Sequence, residues 1–367
     1  MSTGSDIPSF PMLALYPLPL RPTVSVLISS YNYGRFLGKA IDSALRQSFR
    51  PLEVIVSDDG SDDDSCEIVE AYARRGDPVV LVQGSHRGMA GSLNAAFSVS
   101  SGEILCLLDA DDYFAPEKIS LVVSALRNSP DAGFAIHRTQ RIDDRGRQVG
   151  VYPLLNRLPV GDCSAVTLHN SGILMGLPPT SSLSLRREVA EQIFPIPEYY
   201  RGYAEQMIHR LAPLLTSVCA VDEALSVWRL HGRNDANSAH VTAGRLEREL
   251  TYMRRLWSEQ YSFLLSRAPH LADQLPPLEA NALFLKMVYV RMKLMNDPAA
   301  RQFHSALCDL PELRAPTVRA FWRCSIWLPG PVFRKCLDLL ETQSVWKECI
   351  AVVLHRKSRF KEPAVVS

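Results

Sequence analysis

The stretch Glu103 to Asp112, which reads Glu-Ile-Leu-Cys-Leu-Leu-Asp-Ala-Asp-Asp, sets the tightest limit on what this chain can fold into. Ile104 to Leu108 is an unbroken apolar run, too short for a helix and without alternation. It reads as a parallel strand buried on both faces. Open parallel sheets bind ligands at the carboxyl ends of their strands, so a strand running into Asp109, Asp111 and Asp112 brings clustered carboxylates to that edge. Such groups repel one another unless a cation neutralises them. An all-oxygen ligand set favours a hard divalent ion, Mg2+ or Mn2+. The same residues also suit a helix start, where the dipole and free amides welcome Asp.

The preceding residues repeat one unit. Thr23 to Ser29 is a β-branched-rich strand, and Phe36, Leu37, Ala40, Ile41, Ala44 and Leu45 recur at helical spacing. Leu52 to Ser57 predicts a second strand, ending in Asp58-Asp59-Gly60-Ser61-Asp62, with a helix through Ile68, Val69 and Tyr72. Val79 to Val82 predicts a third strand, Gly84 and Gly88 a turn, and Ser92 to Val99 a helix. Strand, polar turn and helix in repetition predict a sheet covered by helices. Two acidic clusters then stand at equivalent strand ends, and a single helix cap accounts for only one. No Gly-x-Gly-x-x-Gly follows the first strand, which removes the main case for a dinucleotide-binding dehydrogenase.

At 367 residues the chain exceeds one usual domain, and a net charge of +1 argues against non-specific nucleic-acid binding. Its eight cysteines include no Cys-x-x-Cys pair, which disfavours structural zinc and a disulfide framework. Residues 1–22 carry five prolines at 8, 11, 17, 19 and 22 without a basic start and continuous apolar core, so they read as a tail. No apolar run reaches the roughly 18 residues of a transmembrane helix. The expected location is cytoplasmic, at most peripheral at a membrane.

Five pieces now match a known pattern in order and spacing: Val24 to Asn32, Ser43 to Ser48, Glu53 to Asp63, Ser92 to Ala96 and Leu108 to Asp112. Over about residues 23 to 235 the chain closely resembles the family 2 inverting glycosyltransferases with the nucleotide-sugar-binding GT-A fold. The resemblance implies an α/β architecture, a Rossmann-like mixed sheet flanked by helices, over residues 23–238, with a helical C-terminal region over 239–367. It implies a nucleoside diphosphate sugar donor whose base bonds Asp59 beside the turn from Ser29 to Tyr31. Asp111 would ligate the metal bridging the donor phosphates, and Asp109 would contact the ribose or a metal-bound water, with Ala110 between them. Asn94 and Arg87 fall on the family's phosphate side, although Leu93 and Ala96 stand where the family often has Arg and Gly. Other roles stay open: Asp58 or Asp59 as caps of the next helix, Asp112 as the cap of a helix near Pro116, and Arg87 as a solvated surface charge.

Further on, Gly133 to Ile142 and Gln148 to Tyr152 predict strands, and Asn156 to Pro179 a loop-rich segment. Leu183 to Arg187 resembles the family's strand before the catalytic helix. Inverting transfer needs a general base beside the acceptor hydroxyl, and the resemblance places it at Glu205. Gln206 follows where the family can have Asp, and a Glu at a helix start also serves as a plain dipole partner. Asp222 to Asn234 resembles the family's Tyr-Arg-x-His-x-x-Asn element, with Trp228 for Tyr. It implies that His231 completes the metal shell and that Arg229 positions the loop or the phosphates.

Beyond residue 240, Leu246 to Leu265, Leu278 to Met295 and Val332 to Leu354 read as amphipathic helices. Trp322, Trp327, Trp346 and the basic run Arg356 to Arg359 fit core packing or a membrane surface. No Gln-x-x-Arg-Trp element is present, which disfavours polymer extrusion. The expected function is inverting, metal-dependent sugar transfer to a glycan, lipid-linked saccharide or small molecule. A catalytically silent nucleotide-sugar-binding relative is the alternative, motivated by Gln206 and Leu93. A nucleotidyltransferase lacks its Gly-rich basic loop after the first strand.

Overall fold

The computed structural model describes residues 10–174, 176–231, 242–308 and 316–341. Its strands are β1 Val24–Ser30, β2 Glu53–Asp58, β3 Val79–Gln83, β4 Ile104–Asp109, β5 Tyr113–Phe114, β6 Ala132–Ile142, β7 Gln148–Tyr152, β8 Leu183–Arg186 and β9 Ser217–Arg229. Its first seven helices are α1 Gly34–Leu45, α2 Ser65–Arg74, α3 Gly88–Val99, α4 Lys118–Asn128, α5 Ser164–His169, α6 Arg187–Ala190 and α7 Glu205–Leu215. The strands form one mixed sheet in the order β3-β2-β1-β4-β8-β6-β9-β5, with β7 pairing on β6. Strands β3, β2, β1 and β4 are parallel, and β8 runs antiparallel between β4 and β6.

Period-two alternation explains why these strands are apolar throughout. Leu27, Ile55, Leu105 and Leu107 face one core with Leu93 of α3 and Ile208 and Leu211 of α7. Val26, Ile28, Val54, Val56, Cys106 and Leu108 face the other, with Leu37 and Ile41 of α1 and Ile119 and Val122 of α4. Each fully buried Leu or Ile contributes about 1.5–3 kcal/mol of transfer free energy, so both faces resist polar substitution. The register sets the site: Ser29 pairs with Ser57 on one side and Asp109 on the other. Both acidic clusters therefore leave the sheet at the same edge.

Some local expectations change. Helix α3 begins at Gly88, one turn before the expected Ser92. Helix α4 begins at Lys118 without a side-chain cap, so Asp112 does not cap it. Residues 10–22 lie against the domain: Phe10 is buried with Leu168, Leu264 and Leu271, and the Leu13 amide donates to Leu215 O at 2.8 Å. The prolines keep this segment extended while its apolar side chains dock. Cys66, Cys106, Cys163, Cys219, Cys308, Cys324 and Cys336 are free thiols.

The chain divides into two compact units, residues 1–231 with 252–281, and residues 232–251 with 282–367. The helical region expected from residue 239 is thus shared between them. Helix α8, Ala243–Arg267, contributes to both, and α9, Pro269–Ala272, belongs to the first. There the Gln260 carboxamide, fully buried, donates to Gly172 O at 3.1 Å and Arg210 O at 3.0 Å. The second unit holds α10 Ala282–Leu294, α11 Ala300–Cys308, α12 Pro316–Ser325 and α13 Gly330–Glu341. Tyr289 is its hub, with Trp322 and Phe333 edge-on at 6.1 and 6.2 Å. Trp322 is buried and Trp327 is 77% exposed, while Trp346 and Arg356 to Arg359 lie outside the described residues. Among the described residues no helix is long and apolar enough to cross a membrane.

Candidate active site

The edge is built from the turns after β1, β2 and β4. After β2, the buried Asp58 carboxylate accepts the Gly60 and Ser61 amides at 3.1 and 2.8 Å and the Ser61 hydroxyl at 2.6 Å. It closes its own turn and does not cap α2. The Asp59 carboxylate, also buried, accepts the Arg87 and Gly88 amides, both at 2.7 Å. These are donors at the start of α3, which a carboxylate satisfies with help from the helix dipole. The ring of Tyr31, 39% exposed, packs on His86 with centroids 4.5 Å apart. The Nδ1 of His86 lies 3.8 Å from the Asp59 carboxylate.

Gly88 ties this corner to the segment leading into α7. Its φ is +80°, and a Cβ there would meet Arg201 Cα at 2.5 Å. The Met89 and Ala90 amides donate to the Arg201 and Tyr200 carbonyls at 2.8 and 3.3 Å. Asn94 bonds the Ile196 backbone with both ends of its amide, each at 2.7 Å. The Arg87 guanidinium pairs with Glu198 at 2.8 Å. Asn94 and Arg87, expected on the phosphate side, thus both engage the 196–198 segment.

After β4, the four residues take distinct positions. Asp109 is half-buried beside Thr180, and burial with the Asp111 and Glu205 carboxylates pushes its carboxyl well above the usual range. Ala110 is buried. Asp111 meets His231, Oδ2 to Nε2, at 2.9 Å. The Asp112 carboxylate accepts the Ser181 hydroxyl at 2.6 Å and the Arg229 amide at 3.1 Å, so it anchors the end of β9. His231 stacks on Phe36 at 5.1 Å with Tyr33 edge-on at 5.9 Å. The Arg229 guanidinium lies 5.0 Å from both the Phe36 and Tyr113 rings. Arg35 sits on Phe36 at 4.1 Å and Lys39 on Tyr113 at 3.7 Å. Cationic groups thus gather beside the Asp111 and His231 pair.

Glu205 opens α7. It is 9% exposed, and burial raises its carboxyl above the usual range, with Gln206 Nε2 donating to it at 3.3 Å. Its charge is near enough to bear on the Asp109 carboxyl. The structure thus gathers Ser29, Asp59, Asp109, Asp111, Glu205, Arg229 and His231 at one sheet edge.

The model of Glycosyl transferase family 2 matches residues 25–193. An uncharacterized glycosyltransferase of Nostoc sp. is 33% identical over 218 residues, covering 59% of this chain and 67% of that protein. This chain belongs to glycosyl transferase family 2. The Escherichia coli UDP-Glc:alpha-D-GlcNAc-diphosphoundecaprenol beta-1,3-glucosyltransferase is 32% identical to it over 98 residues, 26% of this chain and 38% of that one. The family 2 enzyme also shares its fold with S. aureus TarS 1–349 solved with UDP-GlcNAc, at a TM-score of 0.55 and 17% identity, covering 94% and 95% of the two chains. Its sheet flanked by helices is the GT-A fold of the nucleotide-sugar glycosyltransferases.

Among the described residues of this glycosyltransferase, no group of three or more His, Cys, Asp and Glu side chains is arranged to hold a metal ion. Asp111 and His231 supply one carboxylate and one imidazole. That set fits a Mg2+ or Mn2+ whose remaining positions go to substrate phosphates and waters. Four contributors escaped the sequence reading: His86 under Tyr31, Thr180 beside Asp109, and Phe36 and Tyr113 around Arg229. Phe36 read as part of a helical face and Tyr113 was not singled out, and only their place beside acidic turns could have marked them.

Proposed function

We propose that this protein is an inverting, divalent-metal-dependent glycosyltransferase that moves a sugar from a nucleoside diphosphate to an acceptor hydroxyl. The observation that carries the reading is Glu205, a buried carboxyl at the first residue of α7 that lies near enough to the acidic turn for its charge to bear on Asp109. A carboxylate whose proton affinity is raised by burial is a stronger base toward an alcohol than an exposed one. The acceptor oxygen attacks the anomeric carbon as its proton passes to Glu205. The bond from that carbon to the diphosphate breaks, and its electron pair leaves on the diphosphate oxygen.

Asp59, Tyr31, Ser29 and the turn at His86 hold the base end of the donor in this reading. Asp109 and Ala110 border the ribose, and Arg229 faces the diphosphate. Asp111 and His231 would hold Mg2+ or Mn2+, which supplies positive charge against the anionic leaving group. Asn94 and Arg87 act as positioning residues through the 196–198 segment. Support for a nucleoside diphosphate sugar and a lipid-linked saccharide comes from the Escherichia coli relative, whose name states both.

The test is the anomeric configuration of the product by NMR, with and without a chelator. Inversion, with transfer lost on chelation and restored by Mn2+ or Mg2+, is expected. Retention, or full transfer in chelator, would overturn the reading.

A further inference from the structure

The near-zero net charge of the chain hides a division of sign. The second unit, residues 232–251 with 282–367, carries seventeen Lys and Arg against ten Asp and Glu, whereas the remaining residues carry twenty-three against twenty-nine. Such asymmetry points to an anionic partner for the basic part. Residues 316–337, which hold α12 and the start of α13, contain Arg319, Arg323, Arg334 and Lys335 and no Asp or Glu.

The loop joining those two helices is apolar and turned outward. Trp322 and Phe333 bracket it and pack inward on Tyr289. Between them Trp327 is 77% exposed and Val332 is 45% exposed, with Pro329 and Pro331 exposed as well. Backbone bonds hold this shape: the Trp327 and Leu328 amides donate to Cys324 O and Ser325 O at 3.1 and 3.2 Å, and the Phe333 amide donates to Pro329 O at 2.8 Å. The Lys293 ammonium donates to Ile326 O at 2.6 Å, and a Cβ on Gly330 would lie 3.4 Å from Asn296 Oδ1. The end of α10 therefore stands beside the loop, and there Met295 is 57% exposed. Arg323 precedes the loop and Arg334 and Lys335 follow it, all three exposed. Asp297, the acid nearest Met295 in sequence, has its carboxylate on the Ala299 amide at 2.9 Å.

A Trp and a Met held out in water beside cations are complementary to an anionic bilayer. The apolar side chains enter the headgroup boundary while Arg and Lys stay with the lipid phosphates. A nucleic acid would engage the cations and leave Met295 and Val332 in water. A second copy would bring two surfaces of the same sign together. We propose that residues 326–332, with Met295, dock the protein on an anionic membrane surface. Docking of this kind is independent of the sugar-transfer reading.

The experiment floats the full chain with vesicles of phosphatidylcholine alone and of phosphatidylcholine mixed with phosphatidylglycerol. Flotation with the mixed vesicles, weakened by added salt and absent with phosphatidylcholine alone, is expected. Trp327→Ala should lower the partition about tenfold or more. Arg334→Gln combined with Lys335→Gln should lower it about twentyfold, at about fivefold for each charge. All of these side chains are exposed, so the melting temperatures should match that of the parent. No flotation with the mixed vesicles, or equal flotation of parent and both variants, would overturn the docking surface. So would a dimer in sedimentation that Trp327→Ala abolishes, or tighter binding to a single-stranded oligonucleotide than to the mixed vesicles at the same salt.

Discussion

The Nε2 of His231 lies 2.9 Å from Oδ2 of Asp111, although 120 residues separate them in the chain. Strand β9 brings His231 back to the edge where β4 ends, and Asp112 fixes the return by accepting the Arg229 amide. A metal bound here would be shared between the two halves of the sheet. Asp111→Ala should abolish Mn2+-dependent binding of the preferred nucleoside diphosphate in calorimetric titration. His231→Ala should weaken it about tenfold or more. The melting temperature should change little, since Asp111 stands at a strand end. Unchanged affinity in Asp111→Ala would contradict the metal assignment.

Gly88→Ala should disturb the nucleotide side and the catalytic helix together. The added Cβ meets Arg201 Cα at 2.5 Å from a backbone with φ of +80°. The cost should be about 2 kcal/mol or more, read as a lower denaturation midpoint. Transfer should fall as well, because the same turn carries the Asp59 bonds and the segment before Glu205. A variant of normal stability and activity would show that this turn can yield.

Among the described residues, Arg229 is held by rings and pairs with no carboxylate. Its guanidinium lies 5.0 Å from Phe36 and from Tyr113. A cation–π contact of about 1 kcal/mol corresponds to about fivefold in affinity. Phe36→Leu should therefore raise the donor Kd about fivefold, and Arg229→Ala should raise it further. Equal donor affinity in all three proteins would remove Arg229 from the phosphate site.

Buried histidines predict how stability depends on pH. Burial lowers His137 to about 3, with Lys118 adding to the effect, and lowers His209 to about 4. Both values lie below the unfolded value near 6.5, so the unfolded chain binds more protons between those limits. The stability each contributes is complete above pH 6.5 and is lost as pH falls toward the folded value. At pH 5 the loss for His137 is about 2 kcal/mol. His137→Gln should flatten the fall in melting temperature between pH 6.5 and 5. A parallel fall in the variant would contradict the assignment.

The parallel half of the fold was legible because burial on both faces writes itself as continuous apolar runs, as in Val24 to Ile28 and Ile104 to Leu108. Strand β9 was not. Its partners on β6 jump from Val221 to Ala224, so exposed Asp222 and Glu223 interrupt the pattern that would have announced a strand. The start of α3 was hidden for a related reason: its first amides go to Asp59, Tyr200 and Arg201, which no local spacing reveals. In the site, carboxylates at strand ends could be read from the residues themselves. The places of Glu205 and His231 came from family resemblance, because their meeting with the acidic cluster depends on strands and helices far along the chain.

The most direct test of the account is Glu205→Gln, which preserves size and removes proton-accepting power. Transfer rate at saturating donor, donor affinity and melting temperature are measured side by side for both proteins. The account predicts a rate about 100-fold to 10,000-fold lower, unchanged donor affinity, and a stability change within about 1 kcal/mol. Near-normal turnover in Glu205→Gln would contradict it.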